Sequence, residues 1–471
     1  MDENVMRILQ MVQDGKISAS EAETLLAALR GETTIVKPTQ SGTAGTGAKA
    51  EEVNSKNLES DMSDKIEAAK SNLKSFGENL RETLSEVKTK AQEGFRSASQ
   101  ASTKWGTSMT QKVRAWADGD DNRPTNGAGL PEHTEDHTQE FHLDAGASVL
   151  IDNPLGNVKV TGIDGDKATV TVKKTVWGVR TEELPAQAGK IEVGLNGTDS
   201  RLDVKVSVPD SFHDGVVDIE IKVPKSANVR ATTRFGEASL SELDGRTEAV
   251  TTSGNLSLIQ IGNEAKGETV SGDIKLEKIM GAASVATQSG NILAEEIAKG
   301  LTAHTASGDV KASKVEGGRI ECKSVSGDVM VETVATHAPL DITVESVSGS
   351  VLLREASGNI SLKAVSGGIK AENIAATRVQ AQTVSGDIHI QLREAFSGLL
   401  DFNTVSGDAD IRLPEGSNVR VSLSTTSGEL RCEHDAHEVT ATETLWTGQI
   451  GTGAGTLNVR SISGDAKIKH G

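Results

Sequence analysis

The side chains whose spacing best suits them to chemistry are the acids that follow a recurring Ser-Gly pair. They occur as Ser253-Gly254-Asn255, Ser271-Gly272-Asp273, Ser289-Gly290-Asn291, Ser307-Gly308-Asp309 and Ser326-Gly327-Asp328. The phrase continues at Ser348-Gly349-Ser350, Ser366-Gly367-Gly368, Ser385-Gly386-Asp387, Ser406-Gly407-Asp408, Ser427-Gly428-Glu429 and Ser463-Gly464-Asp465. Acids stacked about 4.8 Å apart would repel one another and attract a cation such as calcium. Asn255, Asn291, Ser350 and Gly368 interrupt the series, which relieves the repulsion without a metal. A calcium-binding Gly-Gly-x-Gly-x-Asp repeat is absent.

The ten histidines show no H-E-x-x-H and no Cys/His ligand spacing. His133 and His137 stand four apart in a stretch that reads as a solvated linker. No Gly-x-Ser-x-Gly elbow, Walker loop or paired nucleotide-binding glycines are present. No catalytic residue, metal or cofactor is therefore assigned, and a serine recurring in nearly every copy does not single out a nucleophile. A carboxylate cluster on the flank of a β-helix, acting as a polysaccharide lyase or hydrolase, stays an alternative, because sequence does not align acids across rungs.

The element that must position these turns is a repeating strand pair. The step is 18 residues in the first copies and 16 to 22 later, a period expected of a solenoid rung. Phe235-Gly236-Glu237 reads as a degenerate first copy, Thr447-Gly448-Gln449 fills a missing place, and Ser357-Gly358-Asn359 marks a half-period. Glycine supplies a backbone position that a side chain would block, and the Ser and Asp or Asn bond to the turn backbone. Residues after the turn alternate, as in Ile274-Lys275-Leu276 and Ile388-His389-Ile390, so one set faces a core and the other water. The fold class expected is mainly β, a parallel β-helix-like solenoid over 231–471. At 12 to 13 rungs, the rod would be roughly 60 Å long. Residues 139–230 alternate without the clean period and read as a β cap on the first rung's open edge.

Four segments precede it. Residues 1–31 predict a helical hairpin whose apolar faces carry Ile8, Leu9, Val12 and then Leu25, Leu26, Leu29, with Ser18 and Glu21 as a capping box. So short a hairpin buries little alone, so self-association or docking on a partner is expected. Residues 32–57 and 118–138 read as linkers. Between them, 58–117 predicts a long amphipathic helix, roughly 90 Å at 1.5 Å per residue. From Gly94 to Ala117 it has no acids, only Arg96, Lys104, Lys112 and Arg114, beside Phe95, Trp105, Met109, Val113 and Trp116. That pattern suits a lipid interface with anionic headgroups. It equally suits packing on a protein partner, a second copy or the solenoid, while Gly77, Gly94 and Gly106 favour disorder until bound.

Bulk composition agrees with a narrow aliphatic core: 2% aromatic residues, no Tyr, and 48 glycines. A formal charge of −18 argues against nucleic acid as a partner. Cys322 and Cys432, distant in the repeat, read as reduced thiols. With no basic n-region, cleavage site or long apolar run, the expected location is cytoplasmic, peripheral on the inner face of the membrane where it attaches.

The Thr/Ser-Val-Ser-Gly-Asp-Ile phrase, preceded by Val223-Pro224-Lys225-Ser226-Ala227-Asn228-Val229, resembles a bacterial β-strand-repeat family labelled “putative adhesin”, of unassigned function. The stretch Ile8-Leu9-Gln10-Met11-Val12-Gln13-Asp14-Gly15-Lys16-Ile17-Ser18-Ala19-Ser20-Glu21-Ala22 resembles the helical module of YvlB/LiaX-type proteins. Together these imply a non-enzymatic scaffold or sensor in the envelope-stress response. A surface adhesin or glycan binder is the alternative that would require export. Whatever the role, replacing Ile274 or Ile388 by Asp should break the stack locally, costing about 4 kcal/mol in denaturant unfolding, because a buried charge finds no partner.

Overall fold

The computed structural model describes residues 130–471, apart from 210, 211, 213 and 335–339. The hairpin over 1–31, the linker over 32–57 and the amphipathic helix over 58–117 lie outside these residues. Among the described residues the chain is almost wholly β, with a single short α-helix at Leu184–Ala188.

A rung consists of one strand running into the Ser-Gly turn and one leaving it. Ala265–Ser271 enters at Gly272 and Ile274–Ile279 leaves. The next rung, Ala283–Ser289 and Ile292–Ile297, pairs with it in parallel and in register, Ala265 beside Ala283 and Ile274 beside Ile292. Repetition gives two parallel sheets, an approach sheet and a return sheet, joined at the turn column. Between them lies the core. The return sheet supplies Leu276, Ile279, Ile292 and Ile297, and the approach sheet supplies small side chains such as Ala265, Ala283 and Ala303 in the early rungs and larger ones such as Ile320, Ile342, Leu362 and Phe402 in the later rungs. Aliphatic side chains and alanines fill a narrow cross-section that leaves room for few aromatic rings, in keeping with the composition. Ile274 and Ile388 are both fully buried.

Strict alternation fails at one corner. Lys278, Glu296 and Lys314 adopt left-handed φ values of 57°, 59° and 52°, so the next residues, Ile279, Ile297 and Val315, turn back into the core.

Nine Ser-Gly turns, from Gly254 to Gly407, follow one another in unbroken chain order. This corrects the expected continuous series of 12 to 13 rungs, because beyond these nine turns the chain no longer stacks in order. At the C-terminal end, Gly455–Arg460 and Ala466–His470 slot between the rung of Leu399–Ser406 and Ala409–Leu413 and that of Val419–Ser424 and Leu430–Cys432. Thr447-Gly448-Gln449 is not a turn of the column. It lies in the strand Leu445–Ile450, antiparallel to Val419–Ser424, where Gly448 leaves room for the Trp446 indole.

At the other end the period starts earlier than the sequence suggests. Ser148–Leu155 and Val158–Ile163 form a rung with its turn at Gly156, and this rung pairs with Asn228–Phe235 and Ala238–Leu243. The chain between them extends both sheets. Gly215–Pro224, then Lys167–Trp177, then Glu132–His142 add to the return sheet, while Arg201–Ser207 and Glu192–Thr198 add to the approach sheet. His133 and His137, read as linker residues, therefore sit in a strand. Thr134 and Thr138 bond across it to Thr175 and Thr171, cross-strand pairing that carries the chain into the sheet before Gln139.

Gly367→Ala should cost about 3 kcal/mol in thermal or denaturant unfolding, since φ is 151° and the new Cβ meets the Gly349 carbonyl. Thr383→Val, which deletes only the hydroxyl that donates to the Gly367 carbonyl at 3.1 Å, should cost about 1 kcal/mol.

Candidate binding surface

The turn column carries two hydrogen-bond ladders. On its outer side each Asn or Asp accepts the amide of the next rung. The Asp273 amide donates to Asn255 Oδ1 at 2.9 Å, Asn291 to Asp273 at 2.7 Å, and Asp309 to Asn291 at 2.9 Å. The side chain thus bonds the neighbouring turn and not its own. On the inner side, a buried hydroxyl two residues before the Ser donates to the glycine carbonyl of the preceding rung. Thr287 does so to Gly272 at 3.1 Å and Thr305 to Gly290 at 3.0 Å. Asn or Asp serves equally as acceptor, so the interchange along the column preserves the bond.

Rung insertion brings acids together that are distant in sequence. The Asp408 amide donates to Asp387, Asp465 to Asp408, and Glu429 to Asp465. Asp465 is held below its usual range, first by Lys467, whose Nζ lies 2.7 Å away, and then by the Glu429 amide. Among the described residues no group of three or more His, Cys, Asp or Glu side chains is placed to hold a metal ion.

The outward face of the approach sheet holds an ion network. Glu345, with 8% of its side chain exposed, sits between Lys323 at 3.3 Å and Lys363 at 3.0 Å. Glu321 faces Lys323 at 2.8 Å, Arg319 at 3.0 Å and His304 at 3.4 Å. The His304 imidazole first, then Lys323 and Arg319, hold the Glu321 carboxyl far below the ordinary carboxylate range against the opposing effect of burial. His304 Nε2 is nevertheless out of line for a hydrogen bond. On the return sheet Arg354 bridges Glu332 and Glu372 at 3.0 and 2.9 Å, and Asp410 meets Lys469 at 2.6 Å. These outward acids are spread over both sheets and paired with cations, an arrangement suited to holding strands in register. Burial pushes the Cys322 thiol up to about 12, and the half-buried Cys432 thiol is raised as well.

In the phrase Thr/Ser-Val-Ser-Gly-Asp the Val points outward, between an inward hydroxyl (Ala364 in the rung of Val365) and an exposed Ser. Val325, Val347, Val365, Val384 and Val405 are half-buried, and Ile462 is 39% exposed. Pairing of the flanking serines, Ser326 to Ser348, Ser366, Ser385, Ser406 and Ser463, stacks them into one ridge over six rungs. Its signal was present in the repeated valine, but only the outward orientation shows that the apolar row is solvent-facing. The residues expected to contact membrane or partner (Phe95, Arg96, Lys104, Trp105, Met109, Lys112, Val113, Arg114, Trp116) lie outside the described residues. So do those expected to self-associate (Ile8, Leu9, Val12, Leu25, Leu26, Leu29). Among the described residues no helix is long and apolar enough to cross a membrane.

The lowered Glu321 pKa has a testable consequence. Its stabilisation is present above the unfolded-state value of about 4.3 and is lost as pH falls through the depressed folded-state value. In urea titrations across pH 2–6, Glu321→Gln should therefore flatten the acid limb of the stability profile, leaving less loss on acidification than in the parent.

Residues 278–398 and 376–469 match the family described as Toastrack DUF4097, and residues 3–33 match a SHOCT-like domain. No curated protein matches the chain. Solved structures similar to it include a “putative cell adhesion protein” from Clostridium sporogenes, 8% identical, covering 72% of this chain and 100% of its own, with a TM-score of 0.15. A “putative adhesin” from Bacteroides fragilis is 14% identical, covers 71% of this chain and 97% of its own, and has a TM-score of 0.18. A “putative lipid binding protein” from Parabacteroides distasonis is 12% identical over 71% and 97%, with a TM-score of 0.21. Superpositions this loose leave the architecture to rest on the pairing pattern of the chain itself. The repeats over 278–469 are thus similar to the Toastrack DUF4097 family, and the pairing pattern of the chain agrees with the β-strand-repeat family they were expected to resemble.

Proposed function

We propose that this protein is a non-enzymatic scaffold or sensor associated with the bacterial cell envelope, binding through its solenoid surface and through residues 58–117. The observation that carries this reading is the ridge from Val325 to Ile462, a linear apolar track bordered by the turn acids. A track of that shape suits an extended partner, whereas a small substrate needs a concave site with converging polar groups. The second support is the sequence of 94–117, where aromatic and cationic residues alternate without acids, a composition suited to an anionic lipid surface. Association with an envelope-stress response follows from the resemblance of the N-terminal stretch to YvlB/LiaX-type proteins. A location on the cytoplasmic face of the membrane is part of the same proposal.

Co-sedimentation with anionic vesicles, using the full chain and a version lacking 58–117 at low and high salt, tests the membrane contact. Binding should require the segment and weaken at least about tenfold between 50 and 500 mM salt, as expected for screened charges. Equal binding by both proteins, or none by either, would remove the membrane from this reading.

A further inference from the structure

The ridge has a length, a charge environment and a position relative to the chain's entry point, and these converge on one occupant. From Val325 to Ile462 it spans five rung spacings, about 24 Å. Along the turn side run Asp328, Asp387 and Asp408, exposed acids whose Oδ1 atoms accept the ladder amides. The other border carries Lys323, Glu345, Lys363 and Arg460, so a matching ligand would be an apolar stripe of similar length with its cations toward the turn side.

The chain contains such a segment. Between Phe95 and Trp116 the apolar residues Phe95, Ala98, Trp105, Met109, Val113 and Trp116 share one helical face, and the charged residues are Arg96, Lys104, Lys112 and Arg114. As a helix this stretch would span about 32 Å, enough to cover the ridge with its ends overhanging.

The tether also permits it. Val158, the first residue after the Gly156 turn, is level with Ile219, which is level with Val172, which is level with His137. The strand Glu132–His142 therefore begins five residues before the turn corner, so the preceding chain enters on the same edge as the Ser-Gly column. From that strand to Val329–Val334, the return sheet counts nine strand spacings, about 43 Å. Residues 116 to 130 reach about 46 Å when extended, so an almost fully extended linker brings Trp116, and not Phe95, to the near end of the ridge at Val325.

We propose that residues 94–117 of this same chain dock as an amphipathic helix on the Val325–Ile462 ridge, with Trp116 toward Val325 and Phe95 toward Ile462. The inference rests on reading 58–117 as an amphipathic contact segment, and it gives that segment a resting place. The apolar face that would enter a lipid interface is then the face held by the valines, so the two contacts exclude each other.

Hydrogen–deuterium exchange on the full-length protein tests this. In the parent, amides of 94–117 should be protected at least about tenfold over a free-chain rate. Val365→Lys with Val384→Lys, which places cations on outward positions of the ridge, should abolish that protection. Asp387→Asn with Asp408→Asn keeps the ladder acceptor, as Asn255 and Asn291 already do, and should reduce protection at low salt. Free-chain exchange of 94–117 in the parent would overturn the proposal, as would protection that both double variants leave unchanged. Protection that disappears on dilution, in step with dissociation of a dimer by sedimentation, would also overturn it by making the occupant a second copy. Vesicle binding is read separately. If protection depends on the ridge but vesicles are not bound, the docking stands and the membrane reading falls. If vesicles are bound but the ridge variants change neither protection nor binding, the docking falls alone.

Discussion

The closest constraint in this molecule is the stacking of glycine on glycine along the turn column. A Cβ at Gly272, Gly290 or Gly308 would collide with the carbonyl of the glycine one rung earlier, at φ values between 142° and 153°. Only glycine tolerates that approach, and the approach sets the distance at which everything else in the rung meets its neighbour. With the glycines in contact, the inner hydroxyl reaches the carbonyl below it and the outer Asn or Asp reaches the amide above it. The register of the core then follows, Ile274 on Ile292 and Ile292 on Val310. In parallel strands, a slip of one residue would turn the aliphatic set outward and strand every member of both ladders.

Because the ladders satisfy polar groups rung by rung, the core needs little volume. Aliphatic residues and alanines from both sheets meet in it, and each rung depends chiefly on its two neighbours. Outward positions are thereby released from packing duty. Some are used for ion pairs across rungs, of which the exposed ones contribute little and the network of Glu321 and the buried Glu345 contributes more. Others form the valine row, which no packing requirement inside the solenoid demands.

The two ends are built differently from the middle. Near the first rung the return sheet is prolonged by antiparallel strands, ending in Glu132–His142, whose edge carries Glu132, Glu135, Asp136 and Glu140. Charged edges discourage further strand addition. At the C-terminal end the last rung in sequence is not the last in space, and the hairpin Ala436–Ala441 with Leu445–Ile450 extends the approach sheet instead. A glycine turn and an alternating strand fit any neighbour in the column, so the pairing order of rungs is decided by which loops can close.

The period, the glycine turns and the alternation around Ile274 and Ile388 were sufficient by themselves to determine a parallel stack with an aliphatic core, since each is a local demand of backbone geometry. They also showed the recurring Asn and Asp without a metal-binding repeat. What they did not contain is the partner of each local feature. Gly448 looks like a turn glycine until Trp446 is seen to occupy its space. Gly156 lacks the preceding Ser yet opens the first rung, and His133 and His137 belong to a strand because threonines opposite them supply cross-strand bonds. The acids Asp408 and Asp465 become neighbours only because a rung is inserted between two others. The valine of the repeated phrase is legible as a letter, but whether it faces core or water depends on the twist of the chain at the turn. Repeats encode their own conformation, while order and adjacency among equivalent repeats arise from long-range closure, which only the tertiary structure decides.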